Sequence, residues 1–269
     1  MSNSVNTNIG ALVGQRYLRS NQAELVMVQN RVSSGLRVAT VLDDASTFAV
    51  AAGMRGDIKG YTAVAGALQG AKVGASVAVS AGETISRRLG DVKAKVIQLA
   101  DESISAASRT TYQSDLTSMI EEVNNYLQQA SYNGVNLLGS GGADILVVSN
   151  IDASALTIRN QDVADLSGAS LTIANASDAS NALSLVADFK SSLDTALANL
   201  GADLKRVDAQ AEFIMQTEET VRIGLGALVD ADLAKESAAL QSLQVRQQLG
   251  VQAMGIANQA PQTLLGLFR

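Results

Sequence analysis

The sequence predicts a mainly α protein: a long antiparallel α-helical coiled bundle with one or two small β-hairpins, and an amphipathic helix at each end of the chain. Two runs of apolar residues at alternating steps of three and four, one from Tyr61 and one from Leu183, carry that expectation. The third observation is a single proline, Pro261, in 269 residues, which leaves almost nothing to interrupt long helices. Hydrophobic residues make up 47% of the chain, but aromatics only 3%, with no Trp. Ala, Val, Leu and Ile therefore supply the apolar surface, and such side chains suit helices packed side by side better than a core built around rings.

Taken in order, residues 3–34 read as an amphipathic helix, with Ala11, Leu18, Leu25 and Val32 spaced by seven and Val28 on the same side. Ser33-Ser34-Gly35 breaks it and leads to Asp43-Asp44-Ala45-Ser46. The first seam then passes Tyr61, Val64, Leu68, Ala71, Ala75, Ala78, Gly82, Ile85, Leu89, Val92, Val96 and Leu99. At 1.5 Å per residue it runs about 57 Å. A third helix is expected over 114–130, where Leu116, Met119, Ile120, Val123, Leu127 and Ala130 share a face and Ser114-Asp115 offers capping groups.

Tyr132-Asn133-Gly134 signals a turn, and Gly139-Ser140-Gly141-Gly142 a flexible one. Ile145 to Val148, Leu156 to Ile158 and Leu171 to Ile173 are β-prone pieces for one or two hairpins. The second seam runs through Leu183, Val186, Lys190, Leu193, Leu197, Leu200, Leu204, Val207, Ala211, Ile214, Glu218, Val221, Leu225 and Leu228, interrupted only at Lys190 and Glu218. These two mark either register devices or packing gaps. After Gly224 to Gly226 and Asp230-Ala231-Asp232, residues 235–260 form the closing helix, followed by an apolar tail, Leu264-Leu265-Gly266-Leu267-Phe268-Arg269. Apolar surface on both end helices asks for a partner.

Several function classes fall away. Net charge is −6 and the pI about 4.7, which argues against a nucleic-acid surface. With no Cys there is no disulfide or thiol chemistry, and with no His the commonest general base and metal ligand are absent. No cofactor and no metal are expected, no enzyme chemistry is indicated, and no catalytic residue stands out. The first residues lack the basic-then-apolar order of a cleavable signal, and no apolar run reaches membrane-spanning length. Neither end helix has a basic polar face, so membrane insertion is not expected.

Asp43-Asp44 superficially suggests an acid/base pair, but with no second catalytic group nearby a solvated or capping role is favoured. Asp230 and Asp232 lack the Gly and Glu of a calcium loop, and capping or a hinge is preferred. The Gly-rich stretch has no following Lys-Ser/Thr for phosphate, and Asn175-Ala176-Ser177 fits the glycosylation pattern at chance frequency.

Arg31-Val32-Ser33-Ser34-Gly35-Leu36-Arg37 with Asp43-Asp44-Ala45, preceded by Asn21-Gln22-Ala23-Glu24-Leu25, resembles the N-terminal signature of the bacterial flagellins. Tyr132-Asn133-Gly134-Val135-Asn136-Leu137-Leu138 is similar to the turn after that family's second outer helix. Ala257-Asn258-Gln259-Ala260-Pro261-Gln262 and the Leu264 to Arg269 ending resemble its C-terminus. Together the resemblance covers roughly residues 3–140 and 178–269, in a short form lacking the hypervariable outer domains.

The resemblance implies a secreted, extracellular structural subunit that polymerises into the flagellar filament for swimming. The alternative is a hook–filament junction protein of the same superfamily. Residues 1–34 and 235–269 would be inner-core helices, 35–57 and 226–234 connecting spokes, and 58–225 an outer helical bundle with its β-hairpin region at 139–178. Inner-core assembly would fall to Ile9, Leu12, Leu18, Leu25, Val28, Val32, Leu240, Leu243, Leu249, Ile256, Leu264, Leu265 and Leu267. The spoke would use Gly35, Leu36, Arg37, Asp43 and Asp44. The outer seam would use Leu68, Ile85, Leu89, Val92, Leu197, Leu204, Val207 and Ile214. The implied partners are copies of the chain in a helical polymer, a flagellar export chaperone and cap or junction proteins. Export would pass through the flagellar type III apparatus. Asp91-Val92-Lys93-Ala94-Lys95-Val96 stands where many flagellins carry a patch read by a vertebrate receptor, with charges unlike that patch.

Overall fold

The computed structural model describes residues 7–166 and 171–266, with 260–266 described by backbone alone. Its elements are α1 (Ile9–Ser34), α2 (Ala45–Ala100), α3 (Ala106–Gln129), β1 (Ser131–Tyr132), β2 (Val135–Asn136), β3 (Ile145–Val148), β4 (Ala155–Ile158), α4 (Ala176–Val229) and α5 (Leu233–Gly266). The mainly α bundle with small hairpins is thus what the chain forms. Two compact units divide it: Met1–Gly56 with Thr220–Arg269, and Asp57–Glu219.

In the second unit the first seam is the core. Eleven of its twelve positions are buried, and Tyr61 is half-buried. Three-and-four spacing keeps this stripe on one side of α2, where α3 and α4 cover it. Both run antiparallel to α2. Arg88 pairs with Glu122 and Lys95 with Asp115 along α3. Along α4, Lys72 pairs with Asp208, and Gly82 lies against Leu193 and Leu197.

α3 starts eight residues before the expected Ser114, with Ser105 as its cap: Oγ accepts from the amide of Ser108 at 3.1 Å. Its first two turns, Ala106 to Gln113, carry few large apolar side chains, so they have no stripe to announce them. α2 ends at Ala100, one residue past the last seam position. The Arg109 guanidinium donates to the carbonyls of Leu99 (2.6 Å) and Asp101 (2.9 Å), filling acceptors left at that terminus.

The second seam also needs correcting. The buried ladder on α4 is Ala179, Ala182, Val186, Phe189, Leu193, Ala196 and Leu200. Phe189 occupies the step assigned to Lys190. The lysine points outward and bonds Asp194 one turn on, at 2.8 Å. It is neither a register device nor a packing gap.

Where α3 ends, hairpins take over its place beside α2. Asn133 (φ 54°) and Gly134 (φ 83°) form a two-residue turn that pairs β1 with β2, with Tyr132 opposite Val135. Positive φ at both central residues is what Asn-Gly tolerates and what matches the strand twist. β3 and β4 pair antiparallel, Ile145 opposite Ile158 and Val148 opposite Ala155. Ile145 lies over Gly74 and Ile151 over Gly60, two points where α2 offers no side chain.

Leu171 to Ile173 is not the third strand that was expected. Those residues are irregular, and a side chain supplies their partner. Gln113 donates from Nε2 to the Leu171 carbonyl (2.6 Å) and accepts at Oε1 from the Ile173 amide (3.1 Å). Asn136 ties the hairpins to α3. Its Nδ2 donates to the carbonyls of Leu127 (2.7 Å) and Gln128 (3.3 Å), and its Oδ1 accepts from the amides of Leu138 and Gly139 (2.9 Å each). The Gly-rich stretch closes beneath it. A Cβ on Gly142 would stand 2.0 Å from the Asn136 carbonyl oxygen, so that position admits only glycine.

Candidate assembly surface

The terminal helices form an antiparallel pair. Along it Gly10 faces Ala257, Gly14 faces Met254 and Leu18 faces Gly250. The Asn21 side chain donates to the Leu243 carbonyl (3.0 Å), and Arg31 pairs with Glu236 (3.4 Å). Leu25, Val28 and Leu243 are the buried hydrophobic residues of this pair among the described residues, with Val32, Ala239 and Leu240 packed around them. For helices of 26 and 34 residues this is a narrow core. It sits toward the end of the pair where α1 finishes and α5 begins.

Beyond that cluster the apolar side chains face outward. Ile9, Leu12, Val13 and Tyr17 are exposed on α1, Tyr17 at 72%. On α5 the exposed residues are Val245, Leu249, Val251 and Ile256, the last at 70%. α5 therefore carries apolar surface on faces that α1 leaves bare, as expected of a helix that needs cover on several sides. Of the expected inner-core residues, the structure brings Leu25, Val28, Val32, Leu240 and Leu243 into one cluster and leaves Ile9, Leu12, Leu249 and Ile256 open. Leu18 is half-buried against Gly250. The side chains of Leu264 and Leu265, and all of Leu267, lie outside the described residues.

The two connectors are stitched together. Gly35 ends α1 in the left-handed conformation (φ 72°), its amide bonded to the Arg31 carbonyl. Leu36 forms a bridge with Asp230, and Arg37 donates from its amide to Val229 and from its guanidinium to Leu228. Val38, Ala51 and Val229 make a small core here, with Leu36, Phe48 and Leu225 around it.

Asp43 folds the connector back on itself: one carboxylate oxygen accepts from the amides of Ala39 and Thr40 and from the Thr40 hydroxyl. Asp44 caps α2 through the amides of Ser46 and Thr47 and the Thr47 hydroxyl. Bonds from Thr40 hold the Asp43 carboxyl below its ordinary range, and bonds from Thr47 do the same for Asp44. Asp232 caps α5 through the amides of Ala234 and Lys235. All three aspartates bond backbone amides within four residues in sequence, as turn and cap residues do.

One residue here was not singled out in the sequence. Leu42 is 97% exposed and stands on a groove of about 610 Å³ between α1 and the connector, with Val26, Met27, Asn30 and Leu36 on its walls. A Leu in a short non-repeating connector, Val38 to Leu42, has no helical or strand periodicity to mark it as exposed. Among the described residues no group of His, Cys, Asp or Glu is arranged to hold a metal ion, and no helix is long and apolar enough to cross a membrane.

The N-terminal helical region of bacterial flagellin matches residues 5–143, and its C-terminal helical region matches 183–268. Flagellin FljN of Caulobacter vibrioides is 38% identical over 270 residues, covering 99% of each chain. A flagellin of Brucella melitensis biotype 1 is 34% identical over 281 residues, again covering 99% of each. The crystal structure of a Bacillus cereus flagellin is similar over 54% of this chain and 86% of that one, at 17% identity and a TM-score of 0.48. Matched at both ends and aligned to its relatives over nearly their full length, this chain belongs to the bacterial flagellins, the structural subunits of the extracellular flagellar filament.

Proposed function

We propose that this flagellin polymerises chiefly through α1 and α5, which line the filament's inner core, with 35–57 and 226–234 as spokes and 58–225 as the outer bundle. The observation that carries this is the mismatch between the narrow α1–α5 core and the apolar side chains left open on both helices. Covering a Leu, Ile or Val completely is worth about 1.5–3 kcal/mol. Ile9, Leu12, Leu249 and Ile256 thus form a reservoir of free energy that neighbouring copies can tap. A repeated contact that does not close on itself builds a helical polymer.

Before assembly the same surface needs cover, and an export chaperone that sheathes α5 suits it, as does a cap that receives the subunit at the growing end. At 91–96, Val92 and Val96 are buried, leaving Asp91 and Lys93 exposed, a surface that should activate the vertebrate receptor weakly in receptor-bearing cells.

The test is polymerisation of depolymerised full-length protein in a precipitant salt, viewed by negative-stain electron microscopy beside a copy truncated after Val245. Long uniform filaments from the full chain and none from the truncation are expected. Filaments of equal length and yield from both would remove α5 from the assembly surface.

A further inference from the structure

Pro261 stands inside α5, four residues beyond Ala257. In an α-helix the amide of residue 261 would donate to the carbonyl of residue 257, and proline has no amide hydrogen. The helical ladder therefore leaves the Ala257 oxygen without its donor. The side-chain amide of Asn8 supplies one, Nδ2 donating to that oxygen at 2.8 Å. The other arm of the same side chain, Oδ1, accepts from the amide of Ala11 at 3.1 Å and caps α1. One asparagine thus completes two helices, satisfying a free donor at the start of α1 and a free acceptor within α5.

We propose that Asn8 and the carbonyl freed by Pro261 form a register latch for the α1–α5 pair, and that assembly depends on it. The proposal rests on the reading that this pair drives polymerisation, and it names the polar contact that aligns the pair.

A latch is needed because apolar packing specifies little at this end. The buried cluster of Leu25, Val28 and Leu243 lies toward the other end. Between residues 10 and 18 the helices meet through Gly10, Gly14 and Gly250 against Ala257, Met254 and Leu18. On α1 the contact positions before Leu18 are both glycine, one turn apart. Of the three α1 positions Leu18 alone inserts a large side chain, over Gly250, so nearer Asn8 α1 presents no knob to hold the alignment. A directional bond to a single carbonyl stripped of its helical donor distinguishes the alignments. A lone polar residue in an apolar helix interface is the best-attested device for fixing register.

The residue type follows from the two arms. Ser, Asp and Asn cap helices about equally well. Serine has one oxygen rather than two separated polar atoms, and ionised Asp has no donor. Asn alone among them keeps the cap and offers a second arm that donates.

The chemistry permits a double-mutant cycle. Asn8→Ser keeps a capping oxygen and removes the donating arm. Pro261→Ala returns an amide hydrogen to residue 261, so α5 satisfies Ala257 by itself. Full-length parent, N8S, P261A and the double variant are compared by the critical concentration for seeded polymerisation, read by sedimentation. Thermal unfolding of the unassembled outer bundle checks that each chain is folded.

N8S should raise the critical concentration about fivefold to tenfold in the Pro261 chain, the worth of one hydrogen bond and an unpaired carbonyl. In the P261A chain the same change should cost less than about twofold. Equal costs in the two backgrounds, or no cost with Pro261 present, would overturn the latch while leaving terminal-helix assembly standing. A parent chain that does not polymerise even when seeded overturns that assembly reading and the latch with it.

Discussion

Replacing Gly82 by Ala sets two effects of known size against each other. A Cβ there would stand 2.6 Å from Cδ2 of the half-buried Leu197 and 3.5 Å from Cδ1 of the buried Leu193, in the contact of α2 with α4. Removing glycine from a helix interior gains about 0.8–1 kcal/mol. Forcing a methyl group into a filled core costs about 1–3 kcal/mol, because Leu197 must leave its rotamer or the helices must part. The net result is a loss of about 1 kcal/mol, or about 2–4 °C in Tm for a domain of this size.

Gly66 lies on the same helix, exposed, with nothing within 4 Å of a built Cβ. There only the first term acts, so Gly66→Ala should stabilise by about 0.8–1 kcal/mol. The assay is thermal unfolding of depolymerised monomer, followed by circular dichroism at a helix-sensitive wavelength. Opposite signs for one substitution on one helix are the expected outcome. If G82A proves as stable as G66A, the claim that α2 and α4 approach closely at this glycine is wrong.

Asn136→Ala should cost about 2–4 kcal/mol in chemical denaturation of the monomer, since four hydrogen bonds go and backbone groups near the end of α3 lose their partners. Leu42→Ser should leave monomer stability within about 0.5 kcal/mol, as expected of a fully exposed site, yet raise the critical concentration for polymerisation if the groove beside it is an assembly contact. Asp44→Ala should weaken the start of α2, as loss of a cap does, measured as faster exchange of the Ser46 and Thr47 amides. The pH dependence has a definite sign. Asp43 and Asp44 have folded-state pKa values below the ordinary one, so their contribution is present above about pH 4 and fades as pH falls through the depressed values. Protection of the Thr40 and Thr47 amides should fall in that acid window and stay flat from pH 5 to 8.

How much of this was legible depends on range. The seam on α2 was readable because three-and-four spacing from Tyr61 to Leu99 is local and unbroken, and burial follows it position by position. On α4 the same rule slipped where Leu183 and Val186 invited a step to Lys190, while the buried residue is Phe189. A seam with two admissible phases is decided only by what packs against it. The start of α3 was hidden because Ala106 to Gln113 lacks an apolar stripe. The expected strand at Leu171 failed because a glutamine side chain, not a neighbouring strand, satisfies its backbone.

On the candidate assembly surface Leu18, Leu25, Val28 and Val32 could be read from spacing, and Asp44 and Asp232 as capping types. The bond from Asn8 to Ala257 could not. A contact between one side chain and one carbonyl, with 249 positions between them, leaves no periodic trace.

That separation also sets a clock. A ribosome adds about 5–20 residues per second, so the carbonyl that Asn8 requires is made roughly 12–50 s after Asn8 itself, given the 249-residue interval. Until then the pair of α1 with α5 is incomplete, and no chain that stops before Ala257 can present it finished. On the proposed assembly reading, a chain stopped short of Ala257 lacks the latch and cannot join a polymer.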